Sequence, residues 1–147
     1  INKVTELLLN EVSKKYKIET RFVMERDLKN GVLYSNIKNE EQKSRIALLW
    51  NNTPYFHDDK YDHGIIMKLK TNAFTWWIIA GCGRPASVAA TKLLFEPNWN
   101  ESLLWNSTKE RNRDNFIASF SVEHNREKDP AYLGRITRFE IEWLNKQ

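Results

Sequence analysis

The chain has 147 residues, of which 41% are hydrophobic and 29% charged, and its formal net charge is +4. This composition excludes a disordered or collagen-like chain, and the length predicts a single domain over residues 1–147, either complete or a fragment of a longer chain. The one cysteine, Cys82, excludes an intrachain disulfide framework and a multi-cysteine zinc site.

Hydropathy argues against a membrane protein. The longest strongly apolar stretch, residues 73–82, is about half the roughly 18 residues that a spanning helix needs. No basic segment precedes an apolar core of the kind found in signal peptides. Together with the single cysteine, these features favour a cytoplasmic protein that does not contact a membrane.

The first predicted element is an amphipathic helix. Apolar residues recur at helical spacing and predict one buried stripe, formed by Val4, Leu7, Leu8, Val12 and Tyr16. Lysines gather near the end of this helix, where positive charge suits the helix dipole. We therefore expect the helix to dock on the rest of the domain through this stripe.

From Gly31 onward the hydropathy period changes to that of strands. Strands are predicted at residues 31–35, 45–50, 64–70, 73–80, 116–122 and 138–143, whereas 87–95 fits either a helix or a strand. The strands of the second half, 116–122 and 138–143, alternate as half-buried strands do. Repeated helix–strand units are absent, so the predicted class is α+β. We expect an N-terminal amphipathic helix followed by a curled, mostly antiparallel sheet or a partial β-barrel.

The densest polar cluster lies between two predicted strands, at residues 55–63. His57, Asp59 and His63 are candidate metal ligands, or a general acid and base. Their spacing matches no established ligand signature, and a polar connecting loop explains the same residues. A small metal-dependent nuclease or hydrolase is therefore an alternative function, and we predict no cofactor otherwise.

Tryptophan is frequent in this chain, and most of the six tryptophans are expected in the core. Trp76 and Trp77 are neighbours on a predicted strand, so one of them faces away from the main core. With Asp58 and Asp59 they form a candidate pocket for a flipped base. The same residue types also suit a sugar, so a sugar- or protein-binding β domain is a further alternative.

A basic segment rich in hydrogen-bonding groups follows at residues 105–113. Its cations can neutralise phosphates, and its amides and hydroxyls can position a nucleic-acid backbone. A solvated loop is the alternative interpretation, because acidic residues are interspersed. The candidate nucleic-acid-binding residues are Trp105, Asn106, Ser107, Thr108, Lys109, Arg111 and Arg113.

Two segments of the last 45 or so residues resemble a known family. They are Trp105-Asn106-Ser107-Thr108, with the basic loop after it, and Ala131-Tyr132-Leu133-Gly134-Arg135-Ile136, read as a turn before the last strand. They resemble the SRA-like C-terminal domain of helicase-fused, modification-dependent restriction enzymes. The resemblance implies a module that binds duplex DNA and senses a modified base, rather than the nuclease itself. We therefore expect a non-catalytic specificity module of a restriction-type system.

Overall fold

The computed structural model describes residues 3–24, 45–125 and 129–145. In chain order the elements are α1 (Lys3–Tyr16), β1 (Thr20–Met24), β2 (Ile46–Trp50), β3 (Thr53–Phe56), β4 (Tyr61–Lys70), β5 (Thr75–Gly81), α2 (Arg84–Phe95), a 3₁₀ helix (Trp99–Ser102), α3 (Leu103–Thr108), a second 3₁₀ helix (Lys109–Arg111), β6 (Phe116–Asn125) and β7 (Asp129–Trp143). The strand predicted at 31–35 lies outside the described residues. No helix in the described part of the chain is long and apolar enough to cross a membrane.

The strands form two antiparallel sheets. One has the order β1-β2-β3 and the other the order β5-β4-β6-β7. In the larger sheet β4 lies centrally, with Ile66 opposite Ile79 of β5 and Ala118 of β6. The predicted α+β class, with its leading helix and antiparallel strands, is therefore confirmed, and the strands of the described residues do not close into a barrel.

Both faces of the larger sheet are covered. On one face Ile65 and Ile117 pack against Leu48 of the smaller sheet, in a core that α1 completes. On the other face Ile66 and Phe120 pack under α2 and α3. The prediction that residues 116–122 form a half-buried strand is therefore wrong, because every one of them is buried.

Helix α1 docks through a stripe that only partly matches the predicted one, since Val12 is buried and Leu8 and Tyr16 are partly buried against the same core. Leu9 and Val12 are its buried residues, and both belong to the core between the sheets. Val4 and Leu7 are 75% and 56% exposed, so their assignment to the buried stripe is wrong. The sequence pattern failed here because the run Leu7-Leu8-Leu9 fits several faces of a helix, and only packing selects one.

The ambiguous segment 87–95 is helical and belongs to α2. Small residues let this helix approach the sheet closely, since Ala86, Ala89 and Ala90 are all fully buried. Gly64 of β4 faces the helix, and a β-carbon there would lie 2.7 Å from the Ala80 carbonyl oxygen. The close contact of α2 with β4 fixes the positions of the residues that follow the helix.

Candidate functional site

Two of the predicted tryptophans meet at the surface. Trp77, on edge strand β5, and Trp105, on α3, have ring centroids 5.6 Å apart at an interplanar angle of 68°. They are 37% and 39% exposed, respectively. Trp77 also contacts the buried Phe116 edge to face, at 6.0 Å. The tryptophan pair therefore packs against the core through Trp77 and still exposes aromatic surface to solvent.

Lys68 attaches the basic segment to the sheet beside this pair. Its Nζ donates a hydrogen bond to the carbonyl of Asn112 and lies 5.7 Å from the centroid of the Trp77 ring. Burial, and after it the positive charge of Lys70, lowers the pKa of Lys68. The Lys70 amide donates to Oδ1 of Asn115 at 2.7 Å. Residues 109–115 are thereby held next to Trp77.

Three cations in this region are exposed: Lys70, Lys109 and Arg113. Arg111, in contrast, is engaged within the fold. Its Nε donates to Asp114 at 2.5 Å, and its guanidinium carbon lies 4.2 Å from the centroid of the Trp143 ring. Arg111 therefore holds the segment in place, whereas the three exposed cations are available to contact an anion.

The segment carrying the other candidates is helical rather than a loop. Thr108 is buried and its hydroxyl donates to the Leu104 carbonyl at 2.9 Å, so it does not reach the surface. Asn106 is exposed, and its amide nitrogen donates to the Glu101 carbonyl at 2.8 Å. Ser107 is exposed. The helix thus presents Trp105, Asn106 and Ser107 outward and buries Thr108.

Trp76 lies on the opposite face of β5 and is exposed as well. Its ring packs edge to face against the exposed Phe74, with centroids 6.3 Å apart. Both neighbouring tryptophans are exposed, and β5 is an edge strand of the larger sheet. Sequence reasoning missed Phe74, Lys68 and Lys70. The alternation of residues 64–70 could have identified the lysines, because it places both on one face.

The candidate base pocket does not form. Trp76 and Trp77 pair with Leu69 and Lys68, at the end of β4. Asp58 and Asp59 precede its first residue. Lys68 lies seven residue steps along the strand from Tyr61, or roughly 23 Å at about 3.3 Å per residue. The two halves of the predicted pocket therefore lie at opposite ends of the sheet.

Asp58 and Asp62 have structural partners. Oδ1 of Asp58 accepts hydrogen bonds from the amides of Lys60 and Tyr61, at 2.8 and 2.7 Å, and so closes the turn before β4. Asp62 is fully buried, and its Oδ2 accepts from the amides of Gly83 and Ala86, at 3.1 and 2.8 Å. Asp62 therefore caps the start of α2 from the neighbouring strand.

The histidines of the polar cluster are hydrogen-bonded within the fold. His57 contacts Oδ1 of Asp62 through Nδ1 at 2.8 Å. Nε2 of His63 donates to the Phe56 carbonyl at 2.9 Å, which leaves Nδ1 to accept the Ser121 hydroxyl at 2.7 Å. Asp59 is exposed. Across residues 3–24, 45–125 and 129–145, no group of three or more His, Cys, Asp or Glu residues could hold a metal ion.

No protein-family model, curated protein or solved structure matches the chain. In the structure, the two segments that carry the restriction-enzyme resemblance lie in a helix and in a strand. Trp105 to Thr108 lie in α3, and residues 131–136 lie within β7 instead of forming a turn before it. Any functional conclusion therefore depends on the geometry of the site.

Proposed function

We propose that the chain is a duplex-DNA-binding specificity module of a restriction-type system. Its contact surface, called here the tryptophan surface, consists of Trp77, Trp105, Lys70, Lys109 and Arg113. The observation that carries the proposal is the contact between the partly exposed rings of Trp77 and Trp105, on a segment that exposes these cations.

The chemistry of this surface matches the chemistry of DNA. Lysine and arginine neutralise phosphates and release counterions, which gives affinity that falls with salt. Exposed tryptophan rings stack on bases. Within a duplex, such stacking requires a base that has left the helix, and this is how modified or mismatched bases are read. The net charge of +4 also favours this function, and the Trp105 segment of the restriction-enzyme resemblance, whose tryptophan lies at this surface, supports a restriction-type system.

The alternatives have less support. A domain that binds neutral sugars would use the same tryptophans without needing the exposed cations, so the role of these cations separates the two functions. The nuclease alternative would use His57 and His63, and both rings are hydrogen-bonded to groups that organise the fold.

The first test concerns the cations. We expect the triple variant Lys70→Gln, Lys109→Gln, Arg113→Gln to bind duplex DNA more weakly and to flatten the plot of log affinity against log salt by up to about 2.7, because each lost phosphate contact removes about 0.9. The matched control is Lys14→Gln, Lys17→Gln, Arg21→Gln, which removes the same charge from exposed positions around α1. Fluorescence anisotropy with a labelled duplex, at several salt concentrations, measures the affinity and the salt slope of each variant. Equal slopes for the two triple variants would contradict the proposal.

The second test concerns the rings. We expect Trp105→Ala to lose roughly 1–3 kcal/mol of binding to a duplex that contains an unpaired base, and less to a fully paired duplex. Phe95→Ala is the control, since this exposed ring lies at the end of α2 and outside the tryptophan surface. Thermal melting verifies that both variants are folded. An unchanged preference in Trp105→Ala, or binding to oligosaccharides with no binding to DNA, would overturn the proposal.

A further inference from the structure

Strand β5 forms one edge of the larger sheet, and among the described residues no strand pairs with its outer side. Residues 75–77 are exposed and residues 78 and 79 are partly buried, whereas Ala80 and Gly81 are buried. The start of α2 lies over Gly81, since a β-carbon there would be 2.7 Å from the β-carbon of Ala86. The accessible part of this edge is therefore residues 75–79, which is about the typical length of a strand.

The outer edge of β5 lacks the features that protect the other sheet edges. Edge strands are usually protected by charged side chains, prolines, bulges or short length, because their unpaired backbone groups pair readily with another chain. Strand β1 carries Arg21, β3 has four residues and contains Pro54, and β7 carries charges that include Arg138 and Glu140. Residues 73–83, in contrast, contain no charged residue and no proline. Among the strands described, β5 is therefore the edge that most favours pairing with another strand.

The backbone of β5 is already ordered for such pairing. The turn before it is closed by Thr71, whose amide donates to the Phe74 carbonyl at 2.7 Å and whose hydroxyl oxygen accepts from the Phe74 amide at 3.0 Å. On its inner side, every residue of β5 pairs with β4. The ring of Trp77 contacts Phe116 of β6, so it lies over the sheet and not beyond its edge. A partner strand therefore meets a backbone that is already extended.

We propose that β5 pairs with β5 of a second copy of this chain, antiparallel and about a twofold axis at Trp77. The five accessible residues are symmetric about Trp77, so Trp76 would lie opposite Ile78 of the second copy, and Thr75 opposite Ile79. Pairs of an aromatic and a β-branched residue stabilise neighbouring strands. Because this edge carries no charge, pairing with itself places no like charges opposite each other. The twofold arrangement uses the same edge in both copies and therefore closes at a dimer.

Exposed aromatic rings beside this edge favour the same partner. Phe74 is 66% exposed and Trp76 is 55% exposed, and their rings pack edge to face. Pairing about Trp77 would bring both copies of Trp76 close to the axis, where each is covered by the other copy. The dimer does not depend on the proposed DNA contact. Given that contact, both tryptophan surfaces would lie on one face of a continuous eight-stranded sheet, an arrangement that suits a twofold-symmetric DNA site.

The test is the molar mass of the intact chain in solution without DNA, measured by sedimentation equilibrium. We expect the wild type to approach twice the mass of one chain as its concentration rises. Trp76→Lys places a positive charge on both sides of the axis, so it should weaken dimerisation by about tenfold or more. Tyr132→Lys is the control, because it makes the same change at an exposed ring of β7, the opposite edge of the sheet. A wild type that stays monomeric, or equal dimerisation by the two variants, would overturn the proposal.

A second substitution separates the edge from the ring. Thr75→Lys adds a charge at an exposed position and keeps Trp76, so it should also weaken dimerisation, since charged side chains on an edge strand oppose strand addition. Thermal melting verifies that both variants are folded. Dimerisation of folded Thr75→Lys with wild-type affinity would contradict pairing through β5.

Hydrogen-exchange mass spectrometry locates the interface. Backbone amides of residues 75–79 should exchange more slowly as the protein concentration rises, whereas those of β7 should not change. Slower exchange in α1, where Val4 and Leu7 are exposed, with no change in β5 would place the interface on that helix and overturn the proposal. Trp105→Ala should remain a dimer, so failure of the DNA proposal and failure of this one are distinguishable.

Discussion

Asp62 of β4 joins His57 and the start of α2 through one buried side chain. It is fully buried, contacts His57, and accepts hydrogen bonds from the amides of His63, Gly83 and Ala86. Burial by itself would raise the pKa of its carboxyl group, but these hydrogen bonds and the charge of His57 outweigh burial and lower it. The sequence singled out Asp59 of this cluster as a candidate ligand, whereas in the structure its neighbour Asp62 caps a helix.

The first prediction follows from this network. We expect Asp62→Asn to lower the free energy of unfolding by roughly 2–4 kcal/mol, because an amide cannot accept all of these hydrogen bonds and leaves buried donors unpaired. Asp59→Asn, at an exposed position, should change it by less than about 0.5 kcal/mol. Denaturant unfolding of the two variants measures these changes in the free energy of unfolding. The folded pKa of Asp62 lies below the ordinary 3.8, so its contribution to the free energy of unfolding is complete above that pH and declines as the pH falls further. The free energy of unfolding of Asp62→Asn should therefore depend less on pH in the acid range.

His63 supplies a separate prediction at higher pH. Burial lowers the pKa of its imidazole below the ordinary 6.5. Below that pH the unfolded chain takes up a proton that the folded chain does not, so the free energy of unfolding should fall as the pH falls from 6.5 towards the folded pKa. His63→Gln should remove this part of the pH dependence. Unfolding curves of both proteins between about pH 8 and pH 5 test it, and a constant difference between them would refute it.

At the scale of elements, α1 shows where a hydropathy pattern stops being informative. The pattern correctly predicted the helix, but assigned Leu7 to the buried face that Leu9 occupies. We expect Leu9→Ala to cost about 2–5 kcal/mol of stability because it leaves a cavity between the sheets. Leu7→Ala should change stability by less than about 0.5 kcal/mol. Thermal or urea unfolding measures both losses of stability, and similar losses for the two variants would mean that Leu7 belongs to the docking face, as predicted.

The strands were easier to predict than their burial. Four predicted strands, at 45–50, 64–70, 73–80 and 116–122, closely match β2, β4, β5 and β6, because alternation and β-branched residues are local properties. The last predicted strand, 138–143, covers only the end of β7. The restriction-enzyme resemblance implied a turn at residues 131–136. The structure continues the strand through Gly134, where a β-carbon would lie 2.9 Å from the β-carbon of Glu123.

At the scale of the whole molecule, stability is concentrated in the middle of the larger sheet. Residues 62–68 and 115–122 are buried, since helices cover one face and the smaller sheet and α1 cover the other. We expect the backbone amides of β4 and β6 to exchange with solvent only through global unfolding, and those of β1 and α1 to exchange faster through local opening. Hydrogen-exchange mass spectrometry measures this order, and equally fast exchange in β4 and β1 would contradict it.

The sequence by itself determined the α+β class, the leading helix, the antiparallel strands and the presence of exposed tryptophan next to basic residues. These follow from local hydropathy periods and composition, which need no knowledge of distant contacts. Only the tertiary structure decided that Trp77 meets Trp105, that Arg111 is tied to Asp114 and Trp143, and that Asp58 lies at the other end of β4 from Trp77. The physical reason is that the contacts of Trp77 with Trp105 and of Arg111 with Trp143 join residues far apart in the chain, and that the distance from Asp58 to Trp77 depends on strand register, which packing between strands sets.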